Sequence, residues 1–247
     1  MDIVHKYSSF EYKILRKKRK TIGIKITTEG EVIVTSPFNV SEKTILNIVK
    51  KKEKWIKDKL QLFDQHPGCK DRNFKSGEEF LYLGKKLELE IYNLNEDKIE
   101  ALDDHSFKNN LVRILNEKVI VYIDDNKNNR EDIIRDFIIK FYRTEAQKLL
   151  MERTSYYSKI IGVNPNRITI KDQKTVWGSC SSKKNINYSY RLIMAPIDII
   201  DYLVVHELSH LIHMNHSKEY WKTVESVLPD YRERKQWLKA YGHTLKV

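Results

Sequence analysis

Ile197-Asp198-Ile199-Ile200-Asp201-Tyr202-Leu203-Val204-Val205-His206-Glu207-Leu208-Ser209-His210, continuing through Leu211-Ile212-His213-Met214-Asn215-His216-Ser217, is the stretch that decides how the chain reads. Its apolar residues, from Ile199 to Ile212, are spaced for a helix that is apolar around most of its circumference and therefore buried. A charged glutamate and two histidines are costly in such a helix without a partner. Residues four apart share a helix face about one turn apart, so His206 and His210 can each turn a ring nitrogen toward one metal ion. Glu207 points beside that face, where it reaches a water on the metal without taking a metal position.

A third ligand is required. Zinc held by three protein ligands keeps a fourth position for water and lowers that water's pKa to about 7, while a neighbouring carboxylate accepts the proton. On a continuous helix His216 would lie about 15 Å along the axis from His206, so it ligates only if the helix stops first. Asn215 offers a stop, because asparagine tolerates the left-handed conformation that ends helices, and Ser217 is a suitable N-cap for a segment from Lys218 to Val227. The competitor, His213, shares the helical face but sits about 4.5 Å beyond His210 along the axis, past easy reach of the metal. His216 is the better third ligand. The plainer alternative is a chance HExxH whose histidines only hydrogen-bond within a core; the apolar setting of Glu207 weighs against it.

At 247 residues, 40% hydrophobic and 32% charged, the chain has the composition of one or two packed domains rather than of a disordered polymer. No apolar run is long enough to span a bilayer, and MDIVHKYSSFEYKILRKKRK lacks a secretory h-region, so no membrane partner and a cytoplasmic location are expected. Cys69 and Cys180 form no CxxC and suggest neither a disulfide framework nor a cysteine zinc site. The net charge of +11 is uneven: Lys and Arg against Asp and Glu number 18 and 9 over residues 1 to 75, 14 and 17 over 76 to 160, and 13 and 8 over 161 to 247. The basic runs Arg16-Lys17-Lys18-Arg19-Lys20 and Lys50-Lys51-Lys52-Glu53-Lys54 suit phosphates, nucleic acid included, or an acidic partner. A solvated basic face is the slightly favoured explanation of them.

Alternation around Glu29-Gly30 in residues 21 to 36 predicts a hairpin ended by Pro37, and the pattern from Ser41 predicts a helix stopping before His66-Pro67-Gly68. Strands are expected at Glu79 to Leu83, Leu87 to Tyr92, 111 to 115 and 118 to 123, with a turn at Gly84-Lys85. A long helix from about 131 to 160 closes at Gly162. Strands at 167 to 171 and about 185 to 193 flank a Gly-Ser-rich loop, and Pro196 opens the metal helix at its first turn. The expected fold is α+β: a basic, strand-rich N-terminal module with one helix at 1–124, then a zincin-like catalytic half at 125–247 with a long helix, short strands and the HExxH helix.

Trp177-Gly178-Ser179-Cys180-Ser181-Ser182, Tyr190-Arg191-Leu192-Ile193, Ala195-Pro196, Asp201 to His210, and Asn215-His216-Ser217 with Tyr220-Trp221 together resemble the YgjP-like metallopeptidases, distant relatives of SprT-like zincins. The Thr21 to Pro37 hairpin, the lysine-rich helix and Tyr82-Leu83-Gly84 extend the likeness upstream, over most of the chain. The resemblance implies zinc on His206, His210 and His216 with Glu207 as catalytic base. Val176 departs from it, since the family usually has a basic residue before the tryptophan. The metzincin pattern is also absent, its usual glycine between second and third ligands being His213.

Gly178 permits close backbone approach. Trp177 and Cys180 suit packing, and no activating partner marks Cys180 as a nucleophile. Arg191 suits either a substrate anion or a structural acid. Tyr220 and Tyr231 are candidates for binding substrate or an oxyanion, whereas Trp221 and Trp237 suit the core. The expected function is a zinc-dependent metallopeptidase, with a zinc-bound water activated by Glu207 and a protein or peptide substrate. Two alternatives stand beside it. One is a metal-dependent nucleotide or phosphoester hydrolase, which lacks any P-loop; the other is a nucleic-acid-associated binding protein with a zinc site, whose affinity would fall steeply with salt.

Overall fold

The computed structural model describes residues 4–27, 30–65, 72–93, 112–123, 129–173 and 176–247. The chain packs as two compact units, Met1–Lys70 and Asp71–Val247. The division expected at 124 falls inside the second of these, and Cys69 and the His66-Pro67-Gly68 stop lie outside the described residues.

In the first unit β1 (Val4–Tyr7), β2 (Phe10–Arg16), β3 (Gly23–Ile26) and β4 (Val32–Ser36) form a sheet in the order β1-β2-β4-β3. β3 and β4 are the expected antiparallel pair, with Ile24 opposite Val34. β1 and β2 add strands that the charge-rich sequence conceals: Phe10 and Tyr12 alternate inward between exposed neighbours. Two helices replace the one expected, α1 (Glu42–Lys51) and α2 (Glu53–Gln65), broken at Lys52, whose backbone leaves the helical region at φ −106° and ψ 6°. Ser41 caps α1 by accepting from the Thr44 N–H. Val32 and Val34 of the sheet pack with Ile45, Val49 and Ile56 of the helices in a small core.

The second unit begins with β5 (Glu79–Tyr82), β6 (Lys85–Asn93), β7 (Val112–Leu115) and β8 (Lys118–Ile123), in the order β5-β6-β8-β7 with β6 and β8 parallel. α3 (Arg130–Ile161) follows and ends on Gly162, whose left-handed backbone lets its N–H reach the Ser158 carbonyl. β9 (Arg167–Lys171), β10 (Gly178–Cys180) and β11 (Asn185–Ser189) form a second sheet with β10 at one edge. Gly178 to Cys180 of the WGSC stretch are thus a strand rather than a loop, and the strand expected to reach 193 ends at Ser189, giving way to a 3-10 turn from Tyr190 to Met194. α4 (Ile197–Ser209), α5 (Lys218–Val227) and α6 (Tyr231–Tyr241) complete the unit. No described helix is long and apolar enough to cross a membrane.

Leu89 and Val121 of the first sheet, Ile138 and Tyr142 of α3, Tyr188 of β11, and Val204 and Leu208 of α4 belong to one core. Removing such a side chain, as in Leu208→Ala, costs about 2–5 kcal/mol. Two polar devices fix α4 within it. Asp201 accepts from Arg153 at both oxygens, at 2.6 and 2.7 Å, and from the Tyr157 hydroxyl at 3.1 Å, tying α4 to α3. At the helix start, the N–H groups of Leu83 and Gly84 donate to the Ile193 and Met194 carbonyls, and a Cβ on Gly84 would come within 2.8 Å of Pro196 Cγ. Pro196 is the N-cap residue, one position before the expected first turn.

Candidate metal centre

α4 ends sooner than the sequence suggests. Ser209 is its last residue and His210 its C-cap, five residues before Asn215. Turn bonds from Leu211 to Leu208 and from Ile212 to Ser209 fold the chain back on itself. His216 returns to the helix as a result, and the ligand nitrogens of His206, His210 and His216 all lie within 4.8 Å of one another. The Nε2 atoms of His206 and His216 are 3.4 Å apart, close to the roughly 3.3 Å that tetrahedral zinc imposes on two imidazoles. That geometry fits a metal ion.

His213 contributes through its backbone. Its carbonyl accepts from His210 Nδ1 at 3.1 Å, which directs the Nε2 lone pair of His210 into the triad. Burial, then the charges of His210, His216 and Lys235, push His206 down to about 3, so its imidazole is neutral and able to ligate at physiological pH. His210 is lowered by burial as well. Glu207 is 3% exposed, and burial pushes its carboxyl up to about 8.

Aromatic rings hold the ligands in place. Ser217 caps α5 by accepting from the Tyr220 N–H, and the Tyr220 hydroxyl donates to the His206 carbonyl at 2.9 Å. The Tyr220 ring lies 4.6 Å from that of His210 and 4.8 Å from that of His216. Trp221 stacks on both His216 and Tyr231, at 5.5 and 5.2 Å. Tyr220 and Tyr231, expected as substrate contacts, are thus placed in the packing that orients the histidines. Arg191, the third such candidate, is ion-paired with Asp172 and lies over the Tyr190 ring.

Gly178, expected to permit a close backbone approach, makes that approach to Glu207. A Cβ built there would lie 2.5 Å from Glu207 Oε1 and 2.9 Å from Cγ and Cδ, so β10 passes the carboxylate at a distance open only to glycine. The signal was present as a glycine within WGSC, but its partner lies 29 positions away on α4. Trp177 beside it is fixed in turn by Gly242, where a Cβ would meet the indole at 3.1 Å. Cys180 is a free thiol raised by burial and by the charge of Glu207, the opposite of what activates a nucleophile. A cleft of about 350 Å³ opens beside His206 and Glu207, walled by Val176 to Gly178 and by Lys235, Leu238 and Lys239 of α6.

The sequence matches the family model described as YgjP-like, metallopeptidase domain, over residues 20–241. The chain belongs to the YgjP-like family. Among curated proteins, no relative matches this YgjP-like chain. The crystal structure of the metallopeptidase zymogen of Pyrococcus abyssi abylysin is similar to part of it, at 22% identity over 35% of this chain and 89% of that one, with a TM-score of 0.33. Membership of the YgjP-like metallopeptidases implies a hydrolase that uses a divalent metal and acts on proteins or peptides. Among the described residues, the histidine triad is the group able to hold that metal.

Proposed function

We propose that this YgjP-like protein is a zinc-dependent metallopeptidase in which His206, His210 and His216 hold the ion and Glu207 is the proton carrier. The observation that carries this reading is a buried carboxylate one residue from a triad of converging imidazoles. Three imidazole nitrogen donors suit zinc. When bound, zinc supplies Lewis acidity to a water and to the substrate carbonyl.

The remaining work belongs to the chain. Glu207 takes the proton of the attacking water on a carboxylate oxygen and passes it to the nitrogen of the leaving amine. Burial makes it a stronger base than an ordinary glutamate, and a nearby cation would bring it back toward ionisation at neutral pH. Gly178 leaves the carboxylate its space, the His213 carbonyl sets the tautomer of His210, and Tyr220 and Trp221 fix the rings.

Metal content by elemental mass spectrometry, measured with turnover of casein-derived peptides, tests the reading. Wild type and Glu207→Gln are expected to hold stoichiometric zinc, with turnover only in wild type. Zinc retained by the His206→Ala/His210→Ala double variant, or undiminished turnover by Glu207→Gln, would overturn it.

A further inference from the structure

The cleft beside Glu207 has a chemical character of its own. Lys235, Leu238 and Lys239 are spaced i, i+3 and i+4, so they share one face of α6, and all three line the cleft. Val176, 46% exposed, and Trp177 line it too, together with the buried Tyr202 and Leu203 of α4. The cleft is therefore apolar within and cationic at its rim. Lys235 Nζ sits 4.1 Å over the Trp221 ring, and that ring stacks on His216, which ties the ammonium to the metal site. Among the described residues that line the cleft, the acidic one is Glu207, the proton carrier itself.

We infer that this cleft is a subsite for a carboxylate of the substrate, seated between Lys235 and Lys239 next to the bond that is cut. The inference rests on the peptidase reading of the adjoining site. A few methylenes of substrate would lie on Leu203, Leu238 and Val176, with the anion at the two ammonium groups. A lysine or arginine in the same place would meet like charge, so the subsite selects by repulsion as well as attraction. The carboxylate has two sources, a glutamate or aspartate side chain or the free C-terminus of a peptide.

The test is isothermal titration of peptide hydroxamates into the zinc-loaded protein, which reads binding without requiring turnover. The series carries Glu, Ala or Lys beside the chelating group, each with a free or an amidated C-terminus. The proteins are wild type and Lys235→Glu/Lys239→Glu, with zinc content and circular dichroism checked for both. Wild type is expected to bind the Glu ligand about tenfold tighter than the Lys ligand, and the double variant to reverse that order. A preference that survives amidation assigns the subsite to an acidic side chain; one that vanishes with amidation assigns it to the C-terminus. Equal affinity across the series, an unchanged order in the double variant, or no binding at all would overturn the inference. Acid-selective binding by a wild type that cleaves no peptide would instead overturn the peptidase reading and leave the subsite standing.

Discussion

In the first unit the densest charges, Lys17 to Lys20 after β2 and Lys50 to Lys52 at the junction of α1 and α2, stand exposed to water, whereas the second unit draws Asp201, Glu207 and the ring of His206 into or against its core. Only the second arrangement is costly. An exposed lysine keeps its hydration, while a buried carboxyl must find a partner or hold its proton. Asp201 takes the first course through Arg153 and Tyr157, and Glu207 the second. The contrast teaches that the location of charge, more than its amount, separates a working site from a solvated face.

The largest effect expected from attacking this contrast is loss of the metal. His206→Ala and His210→Ala should each abolish stoichiometric zinc, read by elemental mass spectrometry after dialysis. The next lies in the pH dependence of the metal-free protein. Glu207 ionises near 8 in the fold against about 4.5 unfolded, so stability that is full below pH 4.5 declines as pH rises toward 8, by roughly 5 kcal/mol. His206 acts in the other direction: lowered to about 3 from 6.5, it supports stability above pH 6.5 that is lost toward pH 3. Urea unfolding across this range should show both limbs, and Glu207→Gln should flatten the alkaline one alone.

Gly178→Ala sharpens the comparison further, because it displaces the buried carboxylate without touching a ligand. Turnover should fall about a hundredfold while zinc content stays unchanged, and normal turnover would show that β10 yields to the added methyl. The smallest effect belongs to the first unit. Replacing Lys17, Lys18 and Lys20 with serine should change stability by less than about 0.5 kcal/mol each and leave zinc content as it was; a large loss in chemical denaturation would show that these charges are structural after all.

Much of the fold was legible where pattern and punctuation agree. α3 has a sustained apolar stripe and a terminal glycine, and the β3–β4 hairpin alternates cleanly around Gly30. The three histidines also stand together as their types and spacing suggest. What was hidden has physical causes. β10 is a three-residue Gly-Ser-Cys strand without β-branched side chains, held by its pairing with β11 rather than by propensity. The break at Lys52 falls among lysines and glutamate, all good helix formers, so nothing local announces it. Leu211 and Ile212 prolong the apolar pattern past the true end of α4, although only Leu211 packs against the core and Ile212 stands 48% exposed. The partners of Arg191, Tyr220 and Tyr231 are set by tertiary packing, which side-chain chemistry alone does not reveal.

The carbonyl of His213 has a practical consequence for anyone wishing to move this centre into another scaffold. Its contribution is the path of the main chain, so grafting three histidines and a glutamate onto a straight helix would transfer the letters without the instruction that aims the second ring. Position 213 itself should accept almost any residue, whereas shortening or lengthening the span from 210 to 216 by even one residue would misdirect two ligands at once.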